Sequence, residues 1–265
     1  MKSNYYGGCD VGSTYGKAVI MDESGKVVGY SIIASKLDPV ETAKETIKEA
    51  IANTGNGIAD IDDLKYLVGT GYGRQNITFA NENISEISCH AMGVHSVAPN
   101  VKTIMDFGGQ DLKGISIDED GSVLNFVMND KCAAGTGRFF DGMARAFEMS
   151  IADFSLLSID AKEEIPISSQ CSVFAETEVI SMIAKKKNPA DIALGIEKSV
   201  ARRAYSLLRG AGIRPDITVT GGCAKNRGLI DCLEKMFNLK IVSLPVDPQL
   251  MGAVGAAEYA RRRSK

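Results

Sequence analysis

The stretch Asp10-Val11-Gly12-Ser13-Thr14-Tyr15-Gly16-Lys17 decides the fold, because a related stretch follows it 96 residues later. Residues 10–27 align with 106–123 without a gap, and seven of the 18 positions are identical. Each copy reads as an apolar run, Asp-x-Gly, a short polar turn and a second strand, which predicts a β-hairpin. The identical pairs are Asp10/Asp106, Gly12/Gly108, Lys17/Lys113, Asp22/Asp118, Glu23/Glu119, Gly25/Gly121 and Val27/Val123.

Both predicted hairpins carry chemistry that suits a phosphate and its magnesium ion. An aspartate ends the first strand, and the glycine two residues later lets backbone N–H groups approach a ligand. One such loop alone reads as an ordinary hairpin, whereas its duplication favours a nucleotide site. The first copy also looks like a P-loop, but it is one residue short and has Ala18 where a hydroxyl would bind magnesium.

Composition indicates a globular protein with two domains. The 265 residues are 45% hydrophobic and 24% charged, and the formal net charge of −3 leaves no general footprint for nucleic acid. No apolar run is long enough to span a membrane, and residues 1–6 lack a leader signature, which predicts a cytoplasmic location. The repeat and Pro99-Asn100 predict an N-terminal domain of residues 1–100 and a C-terminal domain of 101–265.

The paired loops resemble the phosphate-1 and phosphate-2 loops of the superfamily of actin, the sugar kinases and the heat-shock chaperone ATPases. The resemblance implies a duplicated, ribonuclease H-like α/β fold whose two domains close on ATP. Gly221-Gly222-Cys223-Ala224-Lys225-Asn226 follows a predicted buried strand and matches the superfamily's adenosine motif. A small-residue helix beginning near Asp247 resembles the second connecting helix, which would pack back at the hinge.

Six cysteines stand alone, and two of them are expected at helix starts. No C-x-x-C occurs, which excludes a zinc ribbon and a thioredoxin site. Cys132 and Cys171 each precede a predicted helix by about one residue, and Ser172 is a candidate N-cap. The partial positive charge of a helix N-terminus favours thiolates, which bind soft metals. Two ligands cannot complete a four-cysteine iron–sulfur cluster, whereas a two-fold dimer would supply four.

Three further stretches resemble the activators of 2-hydroxyacyl-CoA dehydratases, a family that includes the ATPase subunits of benzoyl-CoA reductase. The stretches are Gly69-Thr70-Gly71-Tyr72-Gly73-Arg74, Asn129-Asp130-Lys131-Cys132-Ala133-Ala134-Gly135-Thr136-Gly137-Arg138-Phe139 and Ser169-Gln170-Cys171-Ser172-Val173-Phe174-Ala175-Glu176. The resemblance implies a homodimer with one 4Fe–4S cluster bridging Cys132 and Cys171 of both subunits. It also implies ATP hydrolysis coupled to passing one low-potential electron, received from ferredoxin or flavodoxin, to the dehydratase component.

The superfamily and family patterns assign candidate roles residue by residue. Asp10 and Asp106 are expected to hold Mg²⁺ through water, and Gln110 or Asp111 to orient the attacking water. Residues expected to contact ATP or ADP are Gly12, Ser13, Thr14, Lys17, Gly108, Gly109, Gly135, Thr136, Gly137, Gly221, Gly222, Cys223 and Asn226.

Two other activities remain alternatives. A sugar or acid kinase of the same fold would need a catalytic aspartate near the end of the first domain, where this chain has Ser88-Cys89-His90-Ala91. A chaperone-like or actin-like ATPase would need a peptide-binding domain or polymer surfaces, for which 265 residues leave little room.

Overall fold

The computed structural model describes residues 4–55, 57–130, 132–168 and 171–264. The strands are β1 (Tyr5–Val11), β2 (Tyr15–Asp22), β3 (Val27–Ala34), β4 (Tyr66–Thr70), β5 (Glu82–Asn83), β6 (Thr103–Phe107), β7 (Leu112–Ile117), β8 (Val123–Asn129) and β9 (Ile217–Gly221). The helices are α1 (Pro39–Ala52), α2 (Glu86–Val97), α3 (Gly137–Ala146), α4 (Ile151–Leu157), α5 (Ser172–Ala184), α6 (Pro189–Ala211), α7 (Arg227–Phe237) and α8 (Met251–Arg263).

Residue contacts divide the chain into two compact units. Unit 1 comprises residues 1–102, 117–124 and 244–265, and unit 2 comprises 103–116 and 125–243. The domain limits of 1–100 and 101–265 inferred from sequence stay a prediction, although these contacts assign 244–265 to unit 1.

Unit 1 is built on a five-stranded sheet in the order β3-β2-β1-β4-β5. Strand β1 is antiparallel to β2 and parallel to β4. Helix α1 begins with a local cap, because Asp38 accepts a hydrogen bond from the Val40 amide and Pro39 is the first helical residue. The small residues of α8 let it lie directly against neighbouring backbone, since a side chain at Gly8 of β1 would run into it.

Unit 2 contains a four-stranded sheet in the order β8-β7-β6-β9. Strand β6 is antiparallel to β7 and parallel to β9. Its core joins the sheet to helices α3 to α7, and the largest fully buried side chains in it include Phe107, Phe140 and Phe154. The positions next to that core on β6, β9 and α3 are therefore held rigidly.

The two repeated segments form the same local structure. In each hairpin the glycine after the aspartate donates to a carbonyl three residues on, from Gly12 to Tyr15 at 3.1 Å and from Gly108 to Asp111 at 3.0 Å. The turns that follow also match, since Asp22 and Asp118 each accept two backbone N–H bonds on one carboxylate oxygen. Both turns contain a left-handed glycine, Gly25 at φ +89° and Gly121 at φ +80°.

The predicted start of α3 was wrong, whereas α5 begins one residue after Cys171 as predicted, and there only the choice of Ser172 as the N-cap was wrong. Helix α3 begins at Gly137, five residues after Cys132, because Gly135 adopts φ +95° and the Thr136 amide closes a turn onto Ala133. A residue in the left-handed region cannot continue a right-handed helix. Cys171 itself is the N-cap of α5, whereas Ser172 is its first helical residue. Ser169 and Gln170 of the family motif lie outside the described residues.

Candidate functional site

Each hairpin holds a buried aspartate opposite a lysine. Asp10 pairs with Lys17 across β1 and β2, and Asp106 pairs with Lys113 across β6 and β7. The ammonium-to-carboxylate distances are 3.2 and 3.3 Å. The aspartates are only 4% and 3% exposed, and the lysines place an opposite charge beside each buried carboxyl group. The repeat therefore creates two similar charged sites, one in each unit.

Two glycines allow the backbone to approach Asp10 closely. A side chain at Gly71, where φ is +91°, would run into the Asp10 carboxylate. One at Gly252, the second residue of α8, would lie 2.8 Å from the other Asp10 oxygen and 3.0 Å from His90 Nε2. The sequence marked both glycine-rich segments but did not show that they converge on this aspartate.

The loop between β1 and β2 carries Gly12, Ser13 and Thr14. The hydroxyl oxygen of Thr14 is buried and finds no hydrogen-bond partner among the residues that the structure describes. A buried hydroxyl without a partner costs about 1–3 kcal/mol, which a ligand oxygen would recover. Lys17 lies on the strand β2 rather than at a helix start, so the loop is not a P-loop.

Two side chains of the loop between β6 and β7 are bound by cationic side chains from β7 and α3. Lys113 reaches the Asp111 carboxylate at 2.8 Å as well as Asp106. The Gln110 amide oxygen accepts hydrogen bonds from the Arg138 guanidinium when the amide is oriented to satisfy both groups. Gln110 and Asp111 are thus both held by cations of this chain.

The predicted cofactor residues at positions 135–137 lie against this second loop. The amide of Gly137 donates to the Gly108 carbonyl at 2.9 Å, and the Thr136 hydroxyl lies 3.0 Å from the Gly109 carbonyl. Thr136 is completely buried, and Gly135 packs against α6.

The predicted adenosine motif begins beside Asp106. Thr220, the penultimate residue of β9, donates its hydroxyl hydrogen to Asp106 Oδ1 at 2.8 Å. Gly221 adopts φ +82°, and a side chain there would run into the Phe107 carbonyl. Parallel pairing of β6 with β9 therefore brings the motif to the second aspartate.

The remaining residues of the motif lead into α7. Gly222 is exposed, and Cys223 is buried. Asn226 caps α7 by accepting the Leu229 amide at 2.9 Å. The side-chain amide oxygen of Asn226 is therefore already hydrogen-bonded to the start of α7.

Sequence reasoning missed three side chains at this site. Lys113 is identical to Lys17 in the repeat, so its place opposite Asp106 could have been predicted from the register of the hairpins. Thr220 and Arg138 had no comparable signal, because their partners Asp106 and Gln110 are reached only through the tertiary fold.

The six free cysteines separate into two groups. Cys9, Cys89, Cys223 and Cys232 are buried, whereas Cys132 and Cys171 are exposed. Burial raises the pKa of Cys89 and Cys223 to about 12, so both remain thiols at neutral pH. The two cysteines of the family motifs are thus the pair that an exposed metal centre can use.

Cys132 and Cys171 lie near the same arginine. Burial lowers the pKa of Arg203 on α6, and electrostatic interaction with Cys132 and Cys171 opposes that shift. Helix α3, which follows Cys132, packs with α5, which Cys171 caps, in one core. Arg203 is partly buried, whereas its neighbour Arg202 is exposed and pairs with Glu164 at 3.1 Å.

The donor set fits a cluster shared between two copies better than a metal site within one. Among the described residues no group of three or more His, Cys, Asp or Glu side chains is placed to hold a metal ion. Two exposed sulfur atoms per chain provide half of the ligands that a four-cysteine cluster requires.

A buried carboxyl group lies next to the predicted adenosine motif. Glu197 of α6 is fully buried, and a side chain at Gly228 would run into its carboxyl group and the Ser158 hydroxyl. Burial raises the pKa of Glu197 to about 7, and the polar side chains of Ser158 and Asn226 oppose that rise.

We expect Glu197→Gln to increase the free energy of unfolding above pH 7. Because the folded-state pKa is raised, the wild type loses stability as the pH rises from 4.5 to about 7, while the glutamine variant does not. The rise in the pKa of Glu197 corresponds to a loss of at most about 3 kcal/mol in the free energy of unfolding. Urea unfolding at pH 5 and pH 8 measures the difference.

Glu164→Gln provides a control of opposite sign. Ion pairs with Lys198 and Arg202 lower the pKa of Glu164, so its replacement should destabilise the protein at pH 8. Equal pH dependence of wild type and Glu197→Gln would show that Glu197 ionises normally.

Two solved structures resemble this chain over nearly its whole length. Component A of (R)-2-hydroxyglutaryl-CoA dehydratase from Acidaminococcus fermentans superposes with a TM-score of 0.92 at 40% identity, covering 99% of both chains. The activator of 2-hydroxyisocaproyl-CoA dehydratase from Clostridium difficile, solved with bound ADPNP, gives 0.91 at 41% identity, covering 98% of this chain and 95% of that one.

A more distant structure is similar to this chain in its fold only. A glucokinase of the ROK family from Streptomyces griseus, solved with glucose and AMPPNP, gives a TM-score of 0.59 at 14% identity over 98% of this chain and 100% of its own. These likenesses confirm the actin-like and sugar-kinase-like α/β fold and the resemblance to dehydratase activators. In addition, the profile of the BadF/BadG/BcrA/BcrD ATPase family matches residues 8–260, and the chain belongs to that family.

Proposed function

We propose that the protein is an ATP-hydrolysing activator that delivers one low-potential electron to a 2-hydroxyacyl-CoA dehydratase or a related CoA-ester reductase. The observation that carries the proposal is the presence, in one chain, of two Asp–Lys hairpins and of two exposed cysteines near one arginine. Relatives whose names identify them as dehydratase components or activators support the partner class.

Both hairpins serve the nucleotide in this proposal. Asp10 and Asp106 hold Mg²⁺ through water, and Lys17 and Lys113 neutralise the aspartates and the phosphates. The buried, unpartnered hydroxyl of Thr14 supports a phosphate oxygen at the first loop. Gln110 or Asp111 orients the water that attacks the terminal phosphate.

The other predicted contacts to ATP or ADP complete the nucleotide site. Gly221, Gly222, Cys223 and Asn226 flank the nucleoside, while Gly108 and Gly109 expose their backbone to phosphate.

Cys132 and Cys171 would hold half of one 4Fe–4S cluster, and a second copy of the chain would supply the other two sulfur ligands. When bound, such a cluster supplies a one-electron carrier. Val173 and Phe174, in the first turn after Cys171, are about two-thirds exposed. Large exposed apolar side chains beside the ligands are typical of a surface that a second subunit covers.

The proposal also names an electron donor and a cellular compartment. Ferredoxin or flavodoxin supplies the electron, and the dehydratase receives it in the cytoplasm. No helix in the four described ranges is long and apolar enough to cross a membrane.

The proposed function is tested by reconstitution without oxygen. Anaerobically purified, chemically reduced protein is mixed with a purified 2-hydroxyacyl-CoA dehydratase and its substrate, with or without MgATP. Formation of the enoyl-CoA product is expected to require both the protein and MgATP. Product formed at the same rate without nucleotide would contradict the coupling.

The alternative function, a sugar or acid kinase, remains distinct in its product. The stretch Ser88-Cys89-His90-Ala91 lies in α2 and offers no aspartate as a base. We therefore expect that no sugar or short-chain acid is phosphorylated at a rate near that of ATP hydrolysis. Phosphorus NMR of the products checks this, and a phosphosugar formed with sugar-stimulated ADP release would identify a kinase.

A further inference from the structure

The start of α3 is bound directly to the phosphate-2 loop, defined as residues 108–111. The Gly137 amide donates to the Gly108 carbonyl at 2.9 Å, and the Arg138 amide donates to the Gly109 carbonyl at 3.0 Å. These amides belong to the unpaired first turn of the helix, so the loop completes their hydrogen bonding. A displacement of the loop therefore acts on the helix start.

Thr136 extends this connection toward Cys132. Its hydroxyl lies 3.0 Å from the Gly109 carbonyl and 2.7 Å from the Ala133 carbonyl, and its amide donates to Ala133 at 3.0 Å. Ala133 follows Cys132 directly in the chain. A hydroxyl has one hydrogen, so the two carbonyl groups compete for it. The position of Gly109 therefore affects how firmly Thr136 holds the turn behind Cys132.

The surroundings limit where a displacement can go. Phe139 and Phe140 anchor the first turn of α3 in the core, and close-packed cores transmit displacement rather than absorb it. Gly135, at φ +95°, lies between Thr136 and Cys132, and as a glycine it has the widest choice of backbone angles in the turn. Movement at Gly109 is thus directed into the segment that carries Cys132.

We propose that Thr136 is a positioning residue that couples occupancy of the phosphate-2 loop to the placement of Cys132. The coupling runs within unit 2 from Gly109 through the Thr136 hydroxyl to Ala133. This inference rests on the proposed function, since it assumes phosphate at the loop and a ligand role for Cys132. It adds a residue through which the nucleotide controls the cysteine.

The test measures the reactivity of Cys132 in iron-free protein, so that it needs neither a cluster nor enzymatic activity. Iodoacetamide labels the protein without nucleotide or with saturating MgADPNP, and peptide mass spectrometry gives the alkylation rate of Cys132. The MgADPNP concentration that saturates each variant is chosen from the dissociation constant measured for that variant. In the wild type we expect MgADPNP to change this rate about fivefold or more.

Three variants isolate the hydroxyl of Thr136. Thr136→Val removes it and keeps the side-chain shape, and it should abolish the effect of MgADPNP on Cys132. Thr136→Ser restores the hydroxyl and should restore the effect. The matched control is Thr177→Val on α5. The Thr177 hydroxyl donates to the Val173 carbonyl of its own helix at 3.1 Å, so this variant should behave as wild type.

The possible failures are distinguishable. The coupling is overturned if MgADPNP changes the alkylation rate of Cys132 in Thr136→Val as much as it does in the wild type. It is also overturned if the wild type binds MgADPNP without any change in that rate. No binding of MgADPNP to the wild type would instead overturn the proposed function. If Thr136→Val does not fold, Thr136→Ala, which introduces no methyl group beside the carbonyls, carries the same expectation.

Discussion

Asp106→Asn is expected to lose magnesium-dependent ATP hydrolysis by roughly a hundredfold or more, as for other preorganised charges at a reacting phosphate. The amide keeps the shape of the carboxylate but removes the charge that faces Lys113 at 3.3 Å. Lys113 keeps its second partner, Asp111, at 2.8 Å, so the loop should retain its structure. Phosphate release at saturating MgATP measures the loss.

Asp118→Asn is the matched control for this substitution. Asp118 also comes from the repeat, but its carboxylate accepts backbone amides of a turn outside the phosphate-2 loop. Its replacement should leave the hydrolysis rate close to that of the wild type. Full ATPase activity in Asp106→Asn would remove the basis for assigning the hairpin to phosphate, and iron loss in that variant would show that the two sites are not separate.

Cys171→Ser is expected to lose the iron while keeping the ability to bind ADP. A serine hydroxyl is a far weaker ligand for iron than a thiolate, and Cys171 is exposed, so the change does not disturb the core. Because metal ligation would contribute directly to assembly, dissociation of the dimer should become easier. Colorimetric iron analysis, sedimentation velocity and calorimetric ADP binding on anaerobic protein measure the three effects.

Cys232→Ser controls for the loss of any cysteine. Cys232 is buried in α7, and burial raises its pKa to about 11, so it is a poor ligand candidate. The variant should be less stable but should retain its iron. Iron retained at the wild-type level in Cys171→Ser would refute the bridging site while leaving the nucleotide loops unaffected.

The sequence predicted the hairpins well because their determinants are local. An aspartate before glycine, a polar turn and a second strand specify a hairpin without help from distant residues. Since the two copies share their register, the cross-strand pairing of Asp10 with Lys17 predicts that of Asp106 with Lys113. The start of α1 at Pro39 was equally local, because Asp38 caps it directly.

The parts that the sequence did not predict depend on distant contacts or on backbone conformation. Thr220 reaches Asp106 only because β6 and β9 pair in parallel, although 114 residues separate them. The delayed start of α3 depends on the left-handed conformation of Gly135, which leaves Cys132 outside the helix. The position of Arg203 near both cysteines follows from the packing of α6 in unit 2.

The most direct test of the central claim is the mass and iron content of the wild-type protein measured in one anaerobic sedimentation experiment. If Cys132 and Cys171 of two copies share one cluster, the iron should sediment with the dimer at about four irons per two chains, and exposure to air should remove it. Iron carried by a monomer, or an anaerobic dimer without iron, would contradict the account.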